Sequence, residues 1–235
     1  MQLRENAPSV AAISFTGGKD CVLALHRVVE QGVKVVLLVT FCPAADAPFK
    51  AHPLTVVKQQ AKSLGISHTL CVIEGPDYLA SYQKNLKQLR ETYHIDSLVT
   101  GDILPVCSNF MERAVEGTGV SLVRPLWQVP RQELLDDIWR RSFEVIVSCI
   151  NTKKITSGKE ALMLVGECMT EAWIKKINRQ QDQPIDLAGE FGEFHTLVLD
   201  APLFKGGRIE IATKLLQDQE YAYLEVESAH LVSKN

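Results

Sequence analysis

The sequence predicts an α/β protein: a doubly wound parallel sheet followed by a smaller mixed α+β C-terminal subdomain. Three observations carry that expectation. Five short runs of Val, Ile, Leu and Phe, at residues 10–15, 33–41, 68–73, 97–101 and 143–150, alternate with longer amphipathic stretches. Runs so uniformly apolar suit strands buried on both faces of a parallel sheet, and their alternation with helices suits right-handed crossovers. After about residue 150 the rhythm changes, and Arg208-Ile209-Glu210-Ile211 alternates with period two, as a half-buried antiparallel strand does.

The elements follow in order. A first strand over 10–15 leads into a helix over 19–31, closed by Gly32. The strand over 33–41 leads to a helix over 53–64, opened by Pro53 and closed by Gly65. Proline suits the first helical turn, where its missing N–H is not needed, and glycine suits the left-handed residue just past a helix end. The strand over 68–73, a helix over 77–93, the strand over 97–101 and helices over 107–117 and 132–141 complete the repeat, with the run at 143–150 as its last strand. Beyond it we expect a helix over 163–177 containing Trp173, a glycine-bearing acidic loop over 186–196, and short segments at 197–199, 208–215 and 221–226. The last two read as antiparallel strands. The expected domains are 1–130 and 131–235, joined near 125–150, and helix 132–141 suits either.

Composition narrows the class. The chain has 235 residues, 46% hydrophobic and 23% charged, with a net charge of −3 and no run of Lys or Arg. That composition packs a core, and it lacks the broad basic footprint that stable nucleic-acid binding requires. The six cysteines contain no C-x-x-C pair, which argues against a zinc ribbon, an iron–sulfur cluster or a thioredoxin-like motif. Cys42, Cys71 and Cys149 lie in apolar runs, where a thiol behaves as a small hydrophobe. A reducing, cytoplasmic location is expected. The first apolar run is too short for a signal peptide, and no apolar stretch reaches the length of a membrane span.

The first concentration of chemistry is Thr16-Gly17-Gly18-Lys19-Asp20-Cys21, between the first strand and the first helix. Two glycines allow close backbone approach, and the helix N-terminus offers unpaired N–H groups and partial positive charge, a site for phosphate. Such a charge–dipole contact contributes about 0.3–1 kcal/mol when exposed. Thr16 and Cys21 flank the turn and Lys19 adds a full charge. Asp20 caps the helix or holds a magnesium ion bridging phosphate oxygens. The plain alternative is a βα turn whose glycines serve geometry alone. The loop is not a Walker A motif, and neither is Ser157-Gly158-Lys159-Glu160, which reads as an exposed turn. Cys21 reads as a serine replacement or as a thiol made reactive by the helix end. In open parallel sheets ligands sit where strand order reverses, so Gly101-Asp102 after the fourth strand faces the same crevice if the first and fourth strands flank that point. Asp102 then caps a helix, contacts nucleotide or helps place a metal.

The second concentration is the acidic loop ending Gly189-Glu190-Phe191-Gly192-Glu193-Phe194-His195-Thr196. Glu190, Glu193 and His195 have the chemistry to orient an amine or ammonia, to take up its proton, or to bind a cation. The alternative is a solvated acidic turn. Phe191 and Phe194 favour a partly buried, shaped loop. His52, just before a helix, either reaches the crevice or has a capping or surface role. Trp127 either packs a hinge between subdomains or faces substrate.

The first segment resembles the Ser-Gly-Gly-x-Asp-Ser loop of the PP-loop ATP pyrophosphatases, of the HUP fold type, with Thr16 for the first serine and Cys21 for the last. The second, with Asp200-Ala201-Pro202-Leu203-Phe204 downstream, is similar to the Gly-Glu-x-Gly-Glu-[Phe/Tyr]-x-Thr signature of the diphthine–ammonia ligase-like branch. Gly101-Asp102-Ile103, Pro125-Leu126-Trp127 and His52-Pro53 followed by Gln60-Ala61-Lys62-Ser63-Leu64-Gly65 extend the resemblance over residues 10 to about 210. It implies an enzyme that binds ATP at Thr16, Gly17, Gly18, Lys19, Asp20, Cys21, Gly101 and Asp102, with Mg2+ at Asp20. It further implies adenylation of a substrate carboxylate, release of pyrophosphate and amide formation with ammonia. Lys19, Asp20, Glu190, Glu193 and His195 would be the catalytic residues. In the best-known members the carboxylate is diphthine on translation elongation factor 2. Here Phe191 and His195 depart from the Glu-Gly-Gly-Glu-[Phe/Tyr]-Glu-Thr of those members, and Gly101-Asp102-Ile103-Leu104-Pro105 from their Gly-Ala-Ile followed by Tyr-Gln. These features resemble a wider, partly bacterial branch whose carboxylates differ, cobalamin salvage included. A non-catalytic ATP-binding module and a tRNA-modifying enzyme are the competing readings, the latter opposed by net acidity and the absent C-x-x-C pairs. Oligomeric state, a homodimer included, stays open.

Overall fold

The computed structural model describes residues 9–43, 51–105, 109–155, 162–179 and 185–234. In chain order the first half contains β1 (Val10–Ser14), α1 (Lys19–Glu30), β2 (Lys34–Cys42), α2 (Leu54–Leu64), β3 (Ser67–Val72), α3 (Tyr78–Tyr93), β4 (Ser97–Val99), α4 (Phe110–Val115) and β5 (Ser121–Val123). The second half contains α5 (Arg131–Arg140), β6 (Glu144–Asn151), α6 (Glu171–Arg179), β7 (Phe194–Asp200), β8 (Arg208–Gln217) and β9 (Tyr221–Val232). Two compact units divide them: one from residues 1–15, 20–47 and 66–127, the other from 16–19, 48–65 and 128–235.

The first unit is the expected α/β layer. Its five strands are all parallel, in the order β3-β2-β1-β4-β5. β1 is central, and Ala11, Ala12 and Ile13 have no exposed surface, which is why that run carries no polar alternation. Ala12, Leu37, Val39, Leu98 and Val120 from the sheet side meet Leu86 and Leu89 of α3 in one core cluster, which also holds Cys71 and Ile95. The strand order reverses between β1 and β4, the place where open α/β sheets receive ligands.

The second unit holds an antiparallel sheet in the order β7-β6-β9-β8. Helix α2 belongs to this unit although it lies between β2 and β3 in the chain. Its Ser63 hydroxyl donates to the Gly207 carbonyl, and its Ser63 carbonyl accepts from Gly206 N–H at 2.8 Å. Proline at position 53 supplies no side-chain cap, and Gly65 closes the helix at φ +67°.

Two expectations need correcting, and one strand was not expected. The run at 143–150 is not a strand of the parallel sheet: β6 pairs antiparallel with β7 and β9, and as an inner strand it is as buried as a parallel one. Burial pattern therefore reports an inner position and not strand direction. The helix expected over 163–177 begins only at Glu171, after the Thr170 hydroxyl accepts from Trp173 N–H at 3.1 Å. Residues 166–169 instead run beside β6, with Gly166 N–H donating to Val147 O, Val147 N–H to Glu167 O and Met169 N–H to Val145 O. β5 has three residues, too few for a readable pattern, and does not figure in the expectation. Cys107 and Ser157-Gly158-Lys159-Glu160 lie outside the described residues. No helix among the described residues is long and apolar enough to cross a membrane.

Leu86 and Leu89 are the buried side chains of α3, and Leu86 has no exposed surface. Leu86→Ala is expected to lower unfolding free energy by about 2–5 kcal/mol, measured as a reduced urea midpoint with an unchanged slope.

Candidate functional site

In the first unit the site is built where β1 and β4 end. Phe15 N–H donates to Val39 O at 2.8 Å, and the Thr40 hydroxyl donates to Phe15 O at 2.6 Å, so the chain leaves β1 with its polar groups satisfied. Helix α1 starts at Lys19, which places Asp20 in its first turn rather than at the cap. On the neighbouring strand, Thr100 N–H donates to Val123 O at 3.0 Å and Gly101 follows. A Cβ at Gly101 would stand 2.8 Å from both the Asp20 carbonyl carbon and the Cys21 nitrogen. Only glycine lets the end of β4 meet the first turn of α1 this closely. Cys21 is buried there.

Asp102 comes next. Its carboxylate accepts from the Thr100 hydroxyl at 2.7 Å. Burial pushes its carboxyl up; the Thr100 hydrogen bond and Arg124 oppose this, while Glu112 and Asp20 add to it. Asp20 and Asp102 therefore act on one another as like charges. Arg124 pairs with Glu112 and stacks on Trp127, 3.6 Å from the ring centroid. Stacking on a guanidinium is the role the structure gives Trp127.

The rest of the loop between β1 and α1, Thr16–Lys19, belongs to the second unit, where β7 and α2 hold it. Gly17 has φ +79°, and its carbonyl accepts twice, from Val198 N–H at 3.0 Å and from Gln60 Nε2 at 2.9 Å. The Lys19 N–H donates to the Thr196 hydroxyl at 3.1 Å. Lys19 itself is 3% exposed. Its ammonium donates to the Ala188 carbonyl and lies 5.6 Å from the centre of the Phe194 ring. Carbonyl and ring face offset part of the desolvation of a buried cation.

The acidic loop is stapled from inside. Asp186 accepts from Ala188 N–H at 2.9 Å and Glu190 N–H at 3.3 Å while pairing with Arg131 at 2.9 Å. Glu193, 6% exposed, accepts from Asp186 N–H at 3.2 Å and Phe191 N–H at 3.0 Å. Both carboxylates are engaged with the loop's own amides. The Lys154 ammonium donates to Phe191 O. Phe194 is buried against Trp173, ring centroids 5.1 Å apart, whereas Phe191 is 59% exposed, so only one of the two aromatic residues is sequestered. Glu190 is partly buried.

His195 lies on β7, its ring edge-on to that of His52 with centroids 5.2 Å apart. Burial lowers the His195 pKa from the usual 6.5 to about 4, helped by the positive charges of Lys19 and Lys154. Burial lowers that of His52 to about 3, helped by His195, while a hydrogen bond to the Thr16 backbone pushes the other way. Both imidazoles are neutral at pH 7.

The structure thus gathers the sequence-predicted residues in two groups. Asp20, Cys21, Gly101 and Asp102 meet in the first unit; Thr16, Gly17, Gly18 and Lys19 meet the loop of Glu190, Glu193 and His195 in the second. Gln60, Asp186, Arg131, Lys154 and the Ala188 carbonyl had no assigned role in the sequence reading. Asp186 alone carried a local signal, an Asp two residues before the amide it accepts from, the pattern of an Asx turn.

Because the folded histidines stay neutral where unfolded ones take up protons, the unfolded state binds more protons between about pH 6.5 and about pH 4, and stability falls as pH drops through that window. Replacing both, in His52→Asn with His195→Asn, is expected to flatten the urea midpoint between about pH 7 and about pH 4.5 relative to the unsubstituted chain. An unchanged slope would show that the histidines already titrate normally.

Comparison with known proteins identifies the family. The family model described as the diphthamide synthase N-terminal domain matches residues 9–121, and that of the diphthamide synthase C-terminal domain matches residues 131–232. The chain is 24% identical to a diphthine–ammonia ligase of Danio rerio, over 90% of either sequence. It is 25% identical to that of Rattus norvegicus, over 83% of this chain and 80% of the relative, and 23% identical to that of Mus musculus, over 96% and 93%. With the two domain matches in chain order and covering nearly all of it, the chain belongs to the diphthine–ammonia ligase-like family of PP-loop enzymes.

Proposed function

We propose that this enzyme is an ATP-dependent ligase that activates a substrate carboxylate as its adenylate and converts it to an amide with ammonia, in diphthamide biosynthesis on translation elongation factor 2. ATP supplies the adenylyl group: the carboxylate oxygen bonds to the α-phosphorus as pyrophosphate leaves, and ammonia then bonds to the acyl carbon as AMP leaves and a proton is released. The single observation that carries this reading is the coupling of the phosphate loop to the signature loop. Lys19 reaches Thr196 through its backbone and Ala188 through its ammonium, so the residues expected to hold phosphate are tied to those expected to serve the amide step.

The residues divide the work as follows. Gly17, Gly18 and the first turn of α1 present N–H groups to the phosphates, with Thr16 and Cys21 at the rim. Lys19 contributes charge. Asp20, which acts on Asp102 as a like charge, would hold a magnesium ion, and that ion would offset the charge of the phosphates. Glu190 holds the amine by charge. Glu193 shapes the loop that carries it, and His195, kept neutral, accepts a hydrogen bond from ammonia. Residues 1–130 serve as the ATP-binding domain and 131–235 as the substrate subdomain. A reducing, cytoplasmic setting suits the free thiols.

Asp20→Ala and Lys19→Ala are each expected to lower pyrophosphate release at least about 10²-fold, followed as AMP formed from labelled ATP with ammonia and diphthine-bearing elongation factor 2. Wild-type rates in both variants refute the loop assignment. AMP formation with another carboxylate, and none with elongation factor 2, moves the enzyme to the wider branch of the family.

A further inference from the structure

We infer that Arg124 is the residue that holds the carboxylate of the acyl substrate, with Glu112 in its place until substrate arrives. The identity of the acyl group rests on the ligase reading above. Both side chains line a cavity of about 200 Å³ in the first unit, together with Asp102. Arg124 directly follows β5, and Asp102 follows Gly101, which abuts the first turn of α1. The cavity thus lies at the carboxyl ends of β4 and β5, where open α/β sheets receive ligands. Its other walls include Leu104, Phe110, Met111 and Trp127. Sites for drug-sized molecules begin at about 300 Å³, so a largely apolar space of this size suits one carbon side chain and not a nucleotide.

The guanidinium is prepared for a planar anion. Its face lies on the Trp127 ring, 3.6 Å from the centroid, which fixes its plane and leaves its N–H groups at the edges. Nη1 donates to Glu112 Oε1 at 2.5 Å, and among the described residues this is the one hydrogen bond of the guanidinium. The cavity therefore already shows a carboxylate seated on Arg124. That carboxylate comes from α4, a helix of six residues, and the Glu112 side chain is 37% exposed, open enough to turn out into water. A part-exposed pair of this kind contributes little, so it yields readily to a competitor. Charge favours exchange over addition. Asp102 is the second carboxylate of the cavity, and an anion added beside both would meet two like charges. A substrate carboxylate that replaces Glu112 meets one, and the net charge of the cavity does not change.

The test compares the two partners in the full chain. Arg124→Gln is expected to raise the KM for diphthine-bearing elongation factor 2 by about tenfold or more, with the KM for ATP unchanged. Glu112→Gln removes the competitor, keeps the shape and is expected to lower that KM. A pair that merely braces the cavity predicts shifts in the same direction, since either substitution breaks it, and that result overturns the inference. A rise in the KM for ATP alone places the guanidinium on phosphate and overturns it too. A second measurement needs neither ATP nor elongation factor: the Arg124 Nε–H resonance is followed by NMR as sodium propionate, propionamide or inorganic phosphate is added. A saturable shift with propionate and none with propionamide is expected, at lower concentration in Glu112→Gln. The same shift with propionamide, a shift with phosphate alone, or none with propionate overturns the assignment. A wild-type chain that shows the propionate shift yet forms no AMP with elongation factor 2 supports the carboxylate site and overturns the ligase reading instead.

Discussion

The carbonyl group of Gly17 ties the loop after β1 to both β7 and α2. The phosphate loop leaves a parallel strand and turns into a helix within four residues, so its peptide groups cannot pair with each other. They are satisfied from β7 and α2 instead: Val198 N–H and Gln60 Nε2 on Gly17 O, and the Thr196 hydroxyl on Lys19 N–H. The register of β7 beside the loop follows from these bonds, as alternate residues Thr196 and Val198 turn one polar group each toward it. A glycine is required at 17, because its φ is positive and because the Gln60 amide fills the place of a Cβ. The loop is therefore held by residues remote from it in sequence.

The same economy governs the acidic loop, with a consequence for its chemistry. Two carboxylates in a short glycine-bearing loop suggest acid–base work, yet Glu193 and Asp186 accept from the amides of their own loop and Asp186 carries Arg131 besides. Carboxylates so engaged hold the loop's own backbone in shape. His195 is restrained by the opposite means. With a pKa near 4 it is too weak a base to strip a proton from an ammonium ion, but its neutral ring has a lone pair to offer a neutral amine. Of the three residues expected to do proton chemistry, Glu193 is engaged with its own loop's amides and His195 is held neutral by burial, while Glu190 stays partly exposed.

The fold was legible in the sequence wherever residue type and local geometry are directly coupled. Central strands such as β1 are buried on both faces and read as unbroken apolar runs; Gly65 marks a helix end because a left-handed residue is needed there. What could not be read depends on partners far along the chain. β6 looks parallel from its composition, since burial on both faces is common to any inner strand, and only its pairing with β7 and β9 settles the direction. Residues 166–169 fall within the stretch 163–177 that reads as helical, and pairing along β6 overrides that pattern there. At the site, the loop glycines and Lys19 stood out by type, and Gly101-Asp102 by strand order. Gln60 and the Ala188 carbonyl did not, because a buried amide and a backbone oxygen have no local signature of function.

Long-range bracing also explains how the loop tolerates departures from the diphthine-specific pattern. Phe191 stands where that pattern has glycine, and a bulky residue there would be expected to narrow the loop. Its peptide, however, is held on both polar groups, the N–H by Glu193 and the carbonyl by Lys154, and the ring is exposed. The backbone path is fixed by groups that do not depend on the side chain at 191, so the substitution changes what the loop displays and not how it folds. Backbone path and displayed side chain are then separable: the first is fixed by the bonds that Phe191 makes to Glu193 and Lys154, and the second is carried outward by them.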